Sequence, residues 1–149
     1  MARTIARTVV TASPEAVWPI LTHHEGMPSW SPLRRVVLEA EGDPERDGVG
    51  AVRAMHGPGP VIKEKVVSWD PPRSYEYTLI AGVPIRNHHG RVELTSTPEG
   101  TGITWTVTFR PIVPGTGWLI ARVLGRILQR MLDRLPTQLG DAPGIEAAE

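Results

Sequence analysis

Residues 103 to 110 read ITWTVTFR, and their alternation is strict. Ile103, Trp105, Val107 and Phe109 hold one parity; Thr104, Thr106 and Thr108 hold the other. Successive side chains of a β-strand point to opposite faces. The segment therefore predicts a strand with one buried and one wet face. Parallel strands, covered on both sides, read instead as continuous apolar runs. The sheet is expected to be antiparallel, and its apolar face needs a cover.

A later segment supplies one. From about Thr116 to Leu135 the pattern is helical, ended by Pro136. At about 100° per residue, Ile120, Leu124, Ile127, Leu128, Met131 and Leu135 share one face. Arg122, Arg126, Arg130 and Arg134 recur every fourth residue and form a drifting stripe opposite. A solvated stripe is the preferred reading, because the apolar face already has the sheet to pack on. Trp118 and Leu119, partly off the main apolar face, sustain a second reading of membrane contact.

The rest of the chain reads as strands and turns, with one short helical region. MARTIARTVV alternates, which suits a first strand better than a targeting segment. Ser13-Pro14-Glu15 starts a helix: a serine cap, a proline in the first turn, an acid at the positive end. Ala16, Val17, Ile20 and Leu21 give it an apolar side. Gly26, Pro28 and Pro32 leave room for at most one more turn around Met27 to Trp30. Further strands are expected at Val36–Leu38, Val49–Met55, Val61–Trp69, Tyr75–Ile80 and Asn87–Ser96, with TPEGTG as a loop before Ile103.

The expected fold is α+β. A curved, seven-stranded antiparallel sheet wraps around a long C-terminal helix, with one or two short helices after the first strand. Residues 1–140 form one domain, and the small, acidic tail 141–149 is expected to fray.

Composition trims the functional classes. The 149 residues contain no cysteine, which removes disulfides, thiolate metal sites and a thiol nucleophile. The formal net charge is zero, so global electrostatics nominate neither nucleic acid nor membrane as a partner. No long apolar run marks a spanning helix or signal peptide, and the expected location is cytoplasmic. No Ser-His-Asp order, phosphate-binding glycine loop or dinucleotide fingerprint is present. No metal and no dissociable cofactor are expected.

The chemistry-bearing residues are few. His23 and His24 are adjacent, a poor spacing for a helical metal pair, and read as a capped helix end in a solvated turn. His88 and His89 lie on a strand, so they face opposite ways. His88 shares parity with Val92 and Leu94 and is expected to face inward. Glu64 shares parity with Ile62 and Val66, and an inward carboxylate there needs a partner, for which Arg53 is one option. Tyr77 either offers a hydroxyl inward or closes the sheet edge. Trp18 is read as packing on the sheet, and Trp30 as packing or as a cavity rim.

The order of elements, together with ASPEAVWPIL, MPSWSP, GVGAVR, KEKVVSWDPPRSYEYT and GTGITWTVTFRP, resembles the START-like, Bet v 1-like helix-grip superfamily. The likeness is to its bacterial polyketide cyclase/dehydrase-like branch and spans roughly residues 2 to 136. The resemblance implies a deep apolar cavity between sheet and C-terminal helix. The leading expectation is a binder of a small hydrophobic molecule, lipid or polyketide-like. Its expected lining is Trp30, Met55, Tyr77, His88, Val92, Trp105, Ile120 and Leu124. A second reading is an aromatase/cyclase or dehydratase acting on a poly-β-keto chain, with His88, Tyr77 and Glu64 as acid/base candidates. The third is a membrane-contacting interaction module using the arginine-bearing helix.

Overall fold

The computed structural model describes residues 1–139. The tail expected to fray lies outside them. Strands β1 (Ala2–Val10), β2 (Arg35–Ala40), β3 (Val52–His56), β4 (Ile62–Asp70), β5 (Ser74–Ala81), β6 (Ile85–Thr97) and β7 (Gly100–Pro111) form one sheet in the order β1-β7-β6-β5-β4-β3-β2. Every pairing is antiparallel. Helix α1 (Pro14–Leu21) and a 3-10 segment (His24–Ser29) follow β1; α2 (Gly117–Arg134) and the short α3 (Pro136–Leu139) follow β7.

The alternation of β7 sets the inward row of the whole sheet. Trp105 pairs with Ala6 on one side and Val92 on the other. Val92 pairs with Tyr75, Tyr77 with Val66, Glu64 with Arg53, and Met55 with Val36. Pairs directly opposite share a face, so the row from Ala6 to Val36 is continuous and almost entirely buried. The other face carries surface ion pairs such as Arg91–Glu76 and Lys63–Glu39.

Several boundaries differ from expectation: β3 begins at Val52 rather than Val49, and β6 at Ile85 rather than Asn87. TPEGTG is a tight turn: β6 runs to Thr97 and β7 starts at Gly100. Gly100 sits at φ 144°, and a Cβ there would collide with the Val10 carbonyl, so only glycine turns the chain so tightly beside β1. Pro136 ends α2 yet also opens α3, as proline fits a first helical turn.

The concave face is covered in two parts. Ser13 caps α1 by accepting from the Ala16 N–H at 3.2 Å, and the helix packs on β6 and β7 through Val17, Trp18 and Leu21. Helix α2 leans mainly on the edge strand β1 and, less closely, on its neighbour β7. Gly125 brings it close: a Cβ there would stand 2.5 Å from Thr4 Oγ1. The Gln129 side chain accepts from the Arg7 N–H at 3.2 Å and donates to the Arg7 carbonyl at 2.8 Å, filling both positions that a neighbouring strand would fill. Because α2 is fastened along β1, a gap remains between it and β3–β6.

Candidate functional site

That gap is a cavity of about 470 Å³. Met55 comes from β3, Ile62 and Glu64 from β4, Tyr77 and Leu79 from β5, Ile85 and His88 from β6, Trp105 and Val107 from β7. Met27 and Leu33 close one end. Leu119, Ile120, Val123, Leu124, Ile127, Leu128 and Met131 form the roof. Leu119, Val123 and Ile127 are also 49%, 51% and 39% exposed, so the cavity opens along that edge of α2. The walls are apolar nearly throughout, which is how a binding cavity for a hydrophobic molecule is built.

A bulge shapes the β6 wall. Ile85 and His88 have opposite parity, yet both line the cavity. The register slips between Arg86 and His89, and Asn87 takes φ 51°, a left-handed conformation that asparagine tolerates. Further along, Gly90 lies opposite Tyr77, and a Cβ at Gly90 would collide with the Tyr77 ring. The missing side chain lets that ring lie across the strand.

Polar groups gather around Arg53. Arg53 is 1% exposed. It donates from Nε and Nη2 to Glu64 Oε1, at 3.1 and 2.7 Å. Its Nη1 donates to Tyr75 Oη at 3.2 Å and to His24 Nδ1 at 3.1 Å. Arginine can only donate, so Nδ1 is the bare nitrogen of His24 and Nε2–H donates to the Asp47 carbonyl at 2.9 Å. The tautomer is thereby fixed. Burial, then the Arg53 charge, lower the His24 pKa to about 3 from its ordinary 6.5. The guanidinium also stacks over the Tyr77 ring, 4.6 Å from its centre. Tyr77 Oη accepts from Trp105 Nε1 at 2.7 Å, and burial, then Glu64, hold its phenol well above the ordinary value and so protonated. His88 stands beside this cluster with Nε2 3.9 Å from Glu64 Oε2. Burial lowers its pKa; Glu64 opposes that and Arg53 adds to it. Among the described residues, no three His, Asp or Glu side chains gather as a metal site requires.

The family described as polyketide cyclase / dehydrase and lipid transport matches residues 1–140. The chain belongs to that family. Among solved structures it is similar to protein XoxI from Bacillus cereus, with 23% identity, a TM-score of 0.76, and 91% of this chain and 93% of that one covered. It is also similar to a START superfamily protein from Mycobacterium smegmatis, with 17% identity, a TM-score of 0.77, and 93% and 97% covered. These likenesses establish the helix-grip fold. No curated protein matches the chain. No described helix is long and apolar enough to cross a membrane.

Within this polyketide cyclase-like fold, the residues expected from sequence separate into two groups. Met55, Tyr77, His88, Trp105, Ile120 and Leu124 line the cavity together. Trp30 and Val92 stand outside it. Trp30, directly after the 3-10 segment, is buried against Trp105, with ring centres 6.4 Å apart. Val92 faces inward as its parity requires, but it is fully buried in the hydrophobic core and not part of the cavity wall. Trp18 packs edge-on against Trp69 at 5.1 Å, consistent with packing on the sheet.

The reading of His24 as solvated is corrected: His23 is exposed, but His24 is fully buried. Its partners, Asp47 and Arg53, lie 23 and 29 residues away, beyond any local pattern. Leu119 and Val123 were also missed, because they sit off the main apolar face of the helix. Ile62 and Leu79 carried a usable signal, sharing parity with Glu64 and Tyr77.

Proposed function

We propose that this protein binds one small, largely apolar molecule in the cavity between sheet and α2, and sequesters or carries it. Met55, Tyr77, His88, Trp105, Ile120 and Leu124 touch it. The observation that supports this reading is the 470 Å³ apolar cavity, open along α2 beside exposed Leu119 and Val123. Burying each 100 Å² of apolar ligand surface contributes about 2.5 kcal/mol, less the cost of ordering the ligand. Native mass spectrometry of freshly purified protein, compared with its denatured mass, tests it. The expected result is a reproducible extra mass that leaves on denaturation. A Leu124→Trp variant fills the cavity and should lose that mass while staying folded. Retention of the same adduct by folded Leu124→Trp, and equally by folded Ile120→Trp, would reject the site.

A second reading has one observation in its favour. Glu64, His88 and Tyr77 are neighbours in the cavity wall, an arrangement suited to taking a proton from an acidic C–H of a poly-β-keto chain. Incubation with a poly-β-keto thioester tests it. Turnover that survives removal of all three side chains in folded protein would reject the assignment.

A further inference from the structure

The two oxygens of Glu64 are treated differently. Oε1 takes both bonds from Arg53. Oε2 accepts no hydrogen bond from any described residue, and His88 Nε2 lies 3.9 Å from it. That is too long for a direct bond. An oxygen about 2.8 Å from each atom would fit between them. His88 is unpartnered at its other nitrogen as well: among the described residues Nδ1 is buried and bonds to nothing. Its side chain is only 6% exposed and lines the cavity beside Glu64. His88 Nδ1 is thus a buried polar atom without a partner, which is costly, while Oε2 and Nε2 are unbonded on two residues that line the cavity, so this pair is a half-made site.

The missing partner has a defined chemistry. It must donate to a carboxylate oxygen and can accept from an imidazole N–H. A hydroxyl does both. An anionic head is disfavoured: the nearby cation, Arg53, already gives its N–H groups to Glu64, His24 and Tyr75. Tyr77 Oη accepts from Trp105, which leaves its own O–H free to donate to a ligand oxygen, neutral hydroxyl included. A cationic head would sit near the Arg53 charge and lose its own hydration. Resting on the reading of the cavity as a ligand site, we propose that its ligand is an apolar molecule carrying one neutral hydroxyl, an alcohol, phenol or enol, held between Glu64 Oε2 and His88 Nε2.

Isothermal titration with three probes of one shape tests this: 1-naphthol, 1-methylnaphthalene and 1-naphthoate. The hydroxyl should bind at least about tenfold tighter than the methyl, the size of one hydrogen bond to a charged group, and the carboxylate more weakly than either. His88→Phe keeps a ring against Tyr77 and should shrink the hydroxyl preference several-fold. Glu64→Gln, with its oxygen kept on Arg53, presents a donor in place of the free acceptor and should relieve the exclusion of 1-naphthoate. Should Glu64→Gln fail to fold, His88→Phe carries the test. Equal binding of 1-naphthol and 1-methylnaphthalene would overturn the inference while leaving the cavity reading intact. So would a preference unchanged in His88→Phe. Failure of every probe, 1-methylnaphthalene included, would overturn the cavity reading and this inference with it.

Discussion

Arg53 keeps its charge at any ordinary pH, yet it is wholly buried. Its tolerance depends on having a partner for each edge of the guanidinium: Glu64, His24, Tyr75 and the Tyr77 ring. Removing one partner should cost far more than the pair contributes. Glu64→Ala is expected to destabilise the fold by about 3–5 kcal/mol in urea denaturation, whereas Arg53→Met with Glu64→Leu should cost less, its remaining loss being the donor to His24 Nδ1. A mild effect for Glu64→Ala would mean that water reaches Arg53. The pairing was legible from sequence, because both residues fall on the inward parity of adjacent strands. The contribution of His24 was not, since adjacency to His23 and the end of α1 are all that the local sequence offers.

At the scale of elements, the strands were legible and their irregularities were not. Period-two alternation predicts which face a residue takes, and Tyr77, His88 and Trp105 face as parity requires. Nothing in RNHHG announces the slip at Asn87 that turns Ile85 to the same side as His88. The helix was legible as amphipathic, but not as fastened to one edge. Gly125 marks that close approach only when Thr4 is seen across from it. The two faces of α2 should respond differently. Leu132 is fully buried, and Leu132→Ala should cost about 2–5 kcal/mol in chemical denaturation. Leu119→Ala should change stability by under about 0.5 kcal/mol while weakening retention of an apolar probe. Gly90→Ala should also destabilise, through a displaced Tyr77 and a lost bond to Trp105; an unchanged Tyr77 environment in near-ultraviolet circular dichroism would contradict that account.

Stability of the whole molecule should depend on acid. Folded His24 titrates near 3 and its unfolded counterpart near 6.5. The unfolded chain therefore binds the extra proton between those values, and stability is complete above about pH 6.5 and falls as pH drops toward 3. The slope approaches about 1.4 kcal/mol per pH unit, with His88 adding in the same direction. His24→Gln should flatten the part of the profile between pH 6.5 and 5, above the range where carboxylates titrate; an identical slope in the variant would remove His24 as the cause.

The pairing of Gln129 with Arg7 also bears on solution behaviour. An open sheet has two terminal strands, each a template on which another chain can polymerise. On β1 one helix side chain occupies the N–H and C=O of Arg7 that such an incoming chain would seek. Replacing Gln129 with alanine would leave the cavity walls untouched and vacate that position, so the variant's first symptom should be concentration-dependent self-association rather than lost binding.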